Sequence, residues 1–216
     1  MSDRSRTVPP GFPKFWRWYP LPLGVASMLP PPSRLFQGAL LLDRDGTLIV
    51  DRHYLADPAR VELVPESVDA MRLARDRGWA VGVLTNQGGI ALRRFGWSAA
   101  VAVQAALDRL LAKQELSLDV ALLSPFHPDG THGEFGRDAQ PSDGRKPAPG
   151  MVELAMTLLG IDRGGNVLMV GDKTTDLAAA VAAGVEGMCV PRSDGKDTPV
   201  RAEGWAPVLQ RIGRSG

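Results

Sequence analysis

Two aspartates, Asp43 and Asp45, stand one residue apart where the apolar run Leu40-Leu41-Leu42 gives way to the turn residues Gly46-Thr47. In a strand, residues two apart point to the same face. Like charges held that close destabilise one another unless a cation or a shared proton relieves them. A divalent metal together with a phosphate ester supplies such relief, so the pair suits phosphoryl chemistry. Asp-Gly is equally ordinary turn chemistry, and the run taken alone fits the end of a buried strand just as well. It is not an EF-hand loop, because Leu41 stands five before Gly46, where that loop needs an acid.

The elements that would position these acids alternate along the chain. Residues 39–43 read as a strand and 65–77 as a helix, with Val68, Met71 and Ala74 on one face. Residues 79–85 form a continuous apolar strand. Ser98 is placed to cap a helix whose Val103, Leu107, Leu110 and Leu111 follow the i, i+4, i+7, i+8 stripe. Three more short strands are expected at 120–124, 167–171 and 187–190, with helices around 151–159 and 175–183. Alternation of this kind predicts an α/β fold, a central parallel sheet covered by helices on both faces. Ligands of such sheets lie at the carboxyl ends of the strands.

Polar residues gather at those ends. The first strand leads to Asp43 and Asp45, the second to Thr85, Asn86 and Gln87, and a later one to Gly171, Asp172 and Lys173, with Asp176 one helical turn on. Arg145-Lys146-Pro147 precedes the helix that leads back into the sheet. Each cluster has an ordinary explanation as a turn, a solvated helix start or a cap. Four such clusters on one rim are far harder to explain that way than one.

Composition sets broader limits. The chain has 216 residues, 44% of them apolar, enough for one domain with a proper core. A formal net charge of +1 gives no electrostatic footprint for nucleic acid. The single cysteine, Cys189, excludes an intramolecular disulfide and falls in an expected strand, where it serves as a small buried hydrophobe. Residues 1–38 hold eight of the eighteen prolines and cluster Phe12, Phe15, Trp16, Trp18 and Tyr19. They read as an N-terminal arm that packs its aromatics on a single domain spanning 39–216. No run reaches transmembrane length and none makes a convincing signal peptide, so a cytoplasmic location is expected.

In order, Leu42-Asp43-Arg44-Asp45-Gly46-Thr47, Thr85-Asn86-Gln87-Gly88-Gly89-Ile90-Ala91, Arg145-Lys146-Pro147-Ala148-Pro149-Gly150-Met151 and Val170-Gly171-Asp172-Lys173 make up an ordered motif set. The set resembles that of the haloacid dehalogenase (HAD) superfamily. More narrowly, it is similar to the branch containing the heptose 1,7-bisphosphate phosphatases and the histidinol-phosphate phosphatases. The resemblance runs from about residue 39 to residue 191. It implies a three-layer Rossmann-like fold and a Mg2+-dependent phosphatase working through an aspartyl-phosphate. In that scheme Asp43 is the nucleophile and Asp45 the acid and base. The metal is held by the Asp43 and Asp172 carboxylates and the Asp45 main-chain carbonyl, with Asp176 supporting them from behind. Thr85 and Lys146 hold phosphoryl oxygens, Asn86 places the substrate or the nucleophile, Arg145 binds the substrate, and Lys173 binds phosphate or orients the acids.

The chain departs from the branch at two places. The zinc loop common there, Cys-x-His followed by Cys-x-Cys, corresponds to positions holding Ser124, Phe126, Ser142 and Gly144. None of these binds zinc tightly, and His127 and His132 lack cysteine partners, so no structural zinc is expected. The arginine that usually follows Gly-Ile-Ala is replaced by Leu92, with Arg93 and Arg94 as neighbours able to take its place or to form a solvated basic turn.

No insertion is long enough for a separate cap domain. The site is therefore expected to be open, with specificity set by the segments 51–60, 87–95 and 126–145. The expected substrate is a small phosphate ester, heptose 1,7-bisphosphate first and histidinol phosphate next, with no nucleic-acid or membrane partner. A protein of a different class, a scaffold acting through its N-terminal arm, is the competing expectation. The intact acids argue against it.

Overall fold

Ala39–Leu42 has no polar side chain to leave in water, and it becomes the middle one of five parallel strands. The computed structural model describes residues 19–20, 26–27, 36–130, 144–162, 164–193 and 204–214. In chain order the strands are β1 (Tyr19–Pro20), β2 (Ala26–Ser27), β3 (Ala39–Leu42), β4 (Ala80–Asn86), β5 (Val120–Ser124), β6 (Val167–Gly171) and β7 (Glu186–Cys189). The helices are α1 (Pro65–Asp76), α2 (Trp97–Ala112), α3 (Gly150–Leu159), α4 (Thr174–Ala183) and α5 (Trp205–Gly213), with a 3-10 turn at Pro58–Arg60.

The sheet order is β1-β2-β5-β4-β3-β6-β7, and the last five of these strands are parallel. Register places Leu42 level with Val83 on one side and Val170 on the other. The strand ends that follow Leu42, Asn86 and Gly171 thus share one edge of the sheet.

Strand alternation sorts the core into two layers. Leu40, Leu42, Val81, Val83, Leu168 and Val170 pack with Val68, Met71 and Ala74 of α1, Val103, Leu107 and Leu111 of α2, and Val208 and Ile212 of α5. Ala39, Leu41, Leu84, Leu122, Val167 and Met169 face the other way, against Met151, Val152, Ala155, Met156 and Leu159 of α3 and Ala179 and Ala180 of α4. Each large apolar side chain buried completely here contributes about 1.5–3 kcal/mol. This is the three-layer α/β architecture that the alternating pattern predicts.

The described chain differs from the sequence reading in three places. Helix α2 starts two residues early: Gly96 takes the N-cap position in extended conformation, and Ser98 lies inside the first turn and caps nothing. A C-terminal helix, α5, adds Val208 and Ile212 to the core, and its segment carries too short an apolar period to stand out in the sequence. Residues 19–20 and 26–27 pair antiparallel with each other, and β2 pairs with the β5 edge, so part of the N-terminal segment extends the sheet. The expected packing of Phe12, Phe15, Trp16 and Trp18 lies outside the described residues. Among the described residues, no helix is long and apolar enough to cross a membrane, and one 3-10 turn is the only helical element between Thr47 and Pro65.

Candidate active site

Strand β3 stops at Leu42, so the pleat does not reach the two acids and the tight turn that follows decides where they point. Asp43 donates its backbone N–H to Val170 O at 2.8 Å, which ties the strand end to β6. Leu48 and Ile49 donate theirs to Arg44 O. Gly46 sits at φ 103°, and a Cβ there would lie 2.3 Å from Asp172 Oδ2, so the turn both needs glycine's conformational range and leaves no room for a side chain.

The Asp43 carboxylate is buried between two lysines. Lys146 Nζ donates to Asp43 Oδ1 at 2.6 Å and to Leu84 O at 2.6 Å, and it pairs with Asp176 Oδ1 at 2.6 Å. Lys173 Nζ donates to Asp45 O at 3.0 Å and to Asp172 Oδ1 at 3.2 Å, and lies 3.8 Å from Asp43 Oδ2. Asp176 also caps α4, its Oδ2 accepting from the Lys173 N–H at 3.0 Å. Three buried carboxylates, Asp43, Asp172 and Asp176, hold oxygens within 4.8 Å of one another.

The titration behaviour follows from this crowding. Burial pushes Asp43 upward, but the two lysines and its hydrogen bonds outweigh it, and the carboxyl titrates below the usual range. Burial and the adjacent Asp43 charge push Asp172 up to about 7, with Lys173 opposing. Asp176 is raised chiefly by burial. For Lys146, burial favours the neutral amine, yet Asp176 and Asp43 prevail and hold the ammonium above its ordinary pKa.

The Asp45 side chain is held apart from that cluster. Arg44, fully buried, grips it with Nε on Oδ2 at 3.0 Å and Nη2 on Oδ1 at 3.3 Å. Gln87 Nε2 donates to Asp45 Oδ2 at 2.7 Å and to Thr85 Oγ1 at 2.7 Å, and Thr85 Oγ1 donates to the same Asp45 oxygen at 3.3 Å. A carboxylate fixed by this many donors is oriented for proton transfer at a set place.

Asn86 binds the backbone of Lys146 through both the N–H and the carbonyl of that residue. Its Nδ2 donates to Lys146 O at 2.8 Å and its Oδ1 accepts from the Lys146 N–H at 3.1 Å. Arg145 Nη1 donates to Phe126 O at 2.7 Å. The sequence-predicted residues Asp43, Asp45, Thr85, Lys146, Asp172, Lys173 and Asp176 therefore meet directly, while Asn86 and Arg145 bond to neighbouring backbone. Arg93 and Arg94 are exposed on the turn after β4, with Arg93 at φ 55°. Of the zinc-loop positions, Ser124 and Phe126 are buried, His127 Nδ1 accepts from the Asp129 N–H, and Ser142 and His132 lie outside the described residues.

Four residues of the site were not singled out as such from the sequence. Arg44 and Gln87 hold Asp45. Asp51 and Arg192 join across the rim, Arg192 Nη2 donating to Asp51 Oδ2 at 3.2 Å while Nη1 lies 3.6 Å from Asp172 Oδ2. Arg44 and Gln87 lie inside the motifs and were within reach of the sequence reading. Nothing local marks Arg192, which is 141 residues from Asp51.

Comparison with known proteins defines the class first. Residues 144–211 match a HAD-hydrolase-like family model. The D-glycero-beta-D-manno-heptose-1,7-bisphosphate 7-phosphatase of Escherichia coli K12 is 39% identical over 161 residues, 74% of this chain and 82% of that protein. The enzyme of the same name from Mesorhizobium japonicum is 41% identical over 147 residues, 68% of this chain and 66% of that protein. Among solved structures, D,D-heptose 1,7-bisphosphate phosphatase from B. bronchiseptica, in complex with magnesium and phosphate, superposes with a TM-score of 0.67 at 26% identity, covering 83% of this chain and 99% of that one. The chain belongs to the HAD-like hydrolases and, within them, to the family of the D-glycero-beta-D-manno-heptose-1,7-bisphosphate 7-phosphatases.

Proposed function

We propose that this protein is a Mg2+-dependent phosphatase that removes a phosphoryl group from a phosphorylated sugar through an aspartyl-phosphate, with D-glycero-D-manno-heptose 1,7-bisphosphate as the leading substrate. The observation that carries the reading is the buried Asp43 carboxylate, kept ionised at the carboxyl end of β3 by Lys146 at 2.6 Å. A carboxylate so placed is ready to attack phosphorus as an anion.

Asp43 forms the new P–O bond while the bond to the leaving alcohol breaks, and Asp45 delivers the proton that the leaving oxygen needs. Asp45 then takes a proton from the water that cleaves the aspartyl-phosphate, releasing inorganic phosphate and restoring both acids. Arg44, Gln87 and Thr85 hold Asp45 for both transfers. Lys146 offsets charge growing on the phosphoryl oxygens, with Thr85 beside it. Asn86 acts through Lys146 by fixing its peptide.

The donor set suits a hard divalent cation. The Asp45 carbonyl and Asp172 Oδ1 both converge on one cationic point, the Lys173 ammonium, with Asp43 Oδ2 close by. Asp172 Oδ2 is buried without a hydrogen bond. All the donors are oxygens, three carboxylates with oxygens within 4.8 Å of one another and one main-chain carbonyl, the set a hard cation prefers. Mg2+ held by Asp43, Asp172 and the Asp45 carbonyl would counter the charge of the transferring phosphoryl group.

A phosphate-release screen across heptose 1,7-bisphosphate, histidinol phosphate and other phosphoesters tests the reading. The expected result is turnover that chelation abolishes and Mg2+ restores, with heptose 1,7-bisphosphate ahead and no turnover by Asp43→Asn. Undiminished release by Asp43→Asn removes Asp43 as nucleophile.

A further inference from the structure

Residues 190–193, which leave the end of β7, are stitched to the loop that carries the two acids. Val190 donates its N–H to Gly171 O at 3.0 Å, and Ser193 donates its N–H to Gly46 O at 3.2 Å. Ser193 Oγ accepts the Asp51 N–H at 3.1 Å and donates to Ile49 O at 3.5 Å. This short strap thus bonds to three residues of the loop after β3, and it carries Arg192 between two carboxylates.

Arg192 Nη2 donates to Asp51 Oδ2 at 3.2 Å, while Nη1 lies 3.6 Å from Asp172 Oδ2, a charge contact longer than a hydrogen bond. Asp51 is fixed in turn, its Oδ1 accepting the His53 N–H at 2.8 Å. Asp172 Oδ2 also meets the Gly46 backbone, where an added Cβ would lie 2.3 Å away. That oxygen is therefore boxed between a guanidinium and a turn without a side chain. The other oxygen, Oδ1, is left on the side of Lys173 Nζ, 3.2 Å away, the same ammonium that bonds the Asp45 carbonyl. The Asp172 side chain is fully buried, and those of Arg192 and Asp51 are only 16% and 14% exposed, so the three are held in place by packing as well as by charge.

We propose that Arg192 is a positioning residue for the metal site: braced by Asp51, its guanidinium holds the outer oxygen of Asp172, so that Oδ1 faces the Asp45 carbonyl and the Asp43 carboxylate where Mg2+ would bind. The proposal rests on the Mg2+ reading above and adds a residue that acts through Asp172. A planar guanidinium can reach two carboxylates at once from fixed directions, which a lysine ammonium cannot do in the same way. Charge alone predicts the opposite sign. A cation beside the site repels Mg2+, so deleting it tightens binding if Arg192 contributes nothing but its charge.

The test reads metal affinity without turnover. Mn2+, which takes the same kind of oxygen ligands and whose free ion is read by electron paramagnetic resonance, is titrated into the full-length protein and then displaced by Mg2+. Arg192→Met is expected to weaken both ions about tenfold, the lower end of what losing a group that orients a metal ligand costs. Arg192→Lys keeps the charge but not the fork and is expected to weaken them about as much, so the test stands if the methionine variant does not fold. Ser193→Ala removes strap bonds while leaving Arg192 its two carboxylates, and is expected to stay within about threefold of wild type. Affinity unchanged or tightened in Arg192→Met, or wild-type affinity in Arg192→Lys, overturns the proposal while leaving the metal reading in place. A loss in Ser193→Ala as large as in Arg192→Met also overturns it, because the strap would then act only as general structure. Asp172→Asn assigns the ion to this site, and undiminished binding in that variant, or no binding by wild type, removes both readings.

Discussion

Replacing Lys146 by methionine keeps most of the side-chain volume and deletes one charge, and the structure states what is left behind. The ammonium touches three oxygens at 2.6 Å, those of Asp43, Asp176 and the Leu84 carbonyl, and all are buried. Without it, two carboxylates lose their counter-ion in a low-dielectric pocket. Breaking a buried ion pair from one side destabilises by about 3–5 kcal/mol, a large share of the 5–15 kcal/mol that holds an ordinary domain together. The sign of the pH dependence follows from Asp43. Its folded pKa is depressed, so its contribution is present above the unfolded carboxylate value near 4 and is lost as pH falls through the folded value. That wild-type contribution is still present at pH 4; in Lys146→Met, burial without the ammonium raises the stranded acids, so the deficit should be full at pH 8 and shrink toward pH 4 as they take up protons. Adding Asp176→Asn removes one stranded charge and is expected to recover about 1–2 kcal/mol at pH 8. Urea denaturation of the three proteins at both pH values measures this. A deficit below about 1 kcal/mol at pH 8, or a double variant no more stable than the single, refutes the charge-compensation argument.

Asp108 offers a separate pH test remote from the reacting groups. Burial on α2 pushes it up to about 6, with the Gln104 side-chain hydrogen bond opposing. Its folded pKa exceeds the unfolded one, so it destabilises the protein increasingly from about pH 4 to pH 6 and fully above that. Asp108→Asn should therefore gain about 1–2 kcal/mol at pH 8 and nothing at pH 4 in the same urea titrations. Asn86→Ala removes both bonds to the Lys146 peptide and is expected to lower kcat about 10–100-fold with little change in KM, as steady-state kinetics would show. Gly46→Ala combines a positive φ with a Cβ 2.3 Å from Asp172 Oδ2. It should destabilise by about 3 kcal/mol, lowering Tm by about 6–12 °C in a thermal melt.

The two-sided apolar runs at 39–42, 80–84 and 167–170 were legible because a parallel strand covered on both faces leaves no position for a polar residue. The rim was legible for the complementary reason: the acids and lysines begin where those runs stop. Local pattern says little about orientation. Asp43 and Asp45 were expected to share a face by strand alternation, yet the strand ends before both, and the Asp45 side chain is taken by Arg44, Gln87 and Thr85. Asn86 reads in sequence as an amide that places the substrate or the nucleophile, and only the assembled fold shows both of its polar atoms engaged by the backbone of one residue, Lys146. Arg192 and Asp51 lie far apart in the chain and carry no motif, so their union depends wholly on tertiary closure. Helix α5 was missed because its nine residues bury only Val208 and Ile212 in the core.

The central place of β3 also governs how the protein can be made. Its partner on one side, β4, is complete by residue 86, but its partner on the other, β6, pairs Ala39 with Val167 and Leu42 with Val170. A ribosome adding about 5–20 residues per second needs on the order of ten seconds to make the intervening stretch. Throughout that interval the Ala-Leu-Leu-Leu strand presents one row of unpaired amides and carbonyls on a wholly apolar segment, the kind of edge that recruits other chains. A nascent chain ending before residue 167 thus carries the nucleophile-bearing strand half-paired, and it is the fragment most in need of a chaperone. Completion of β6 covers that edge and, in the same step, delivers Asp172 to the turn that follows β3.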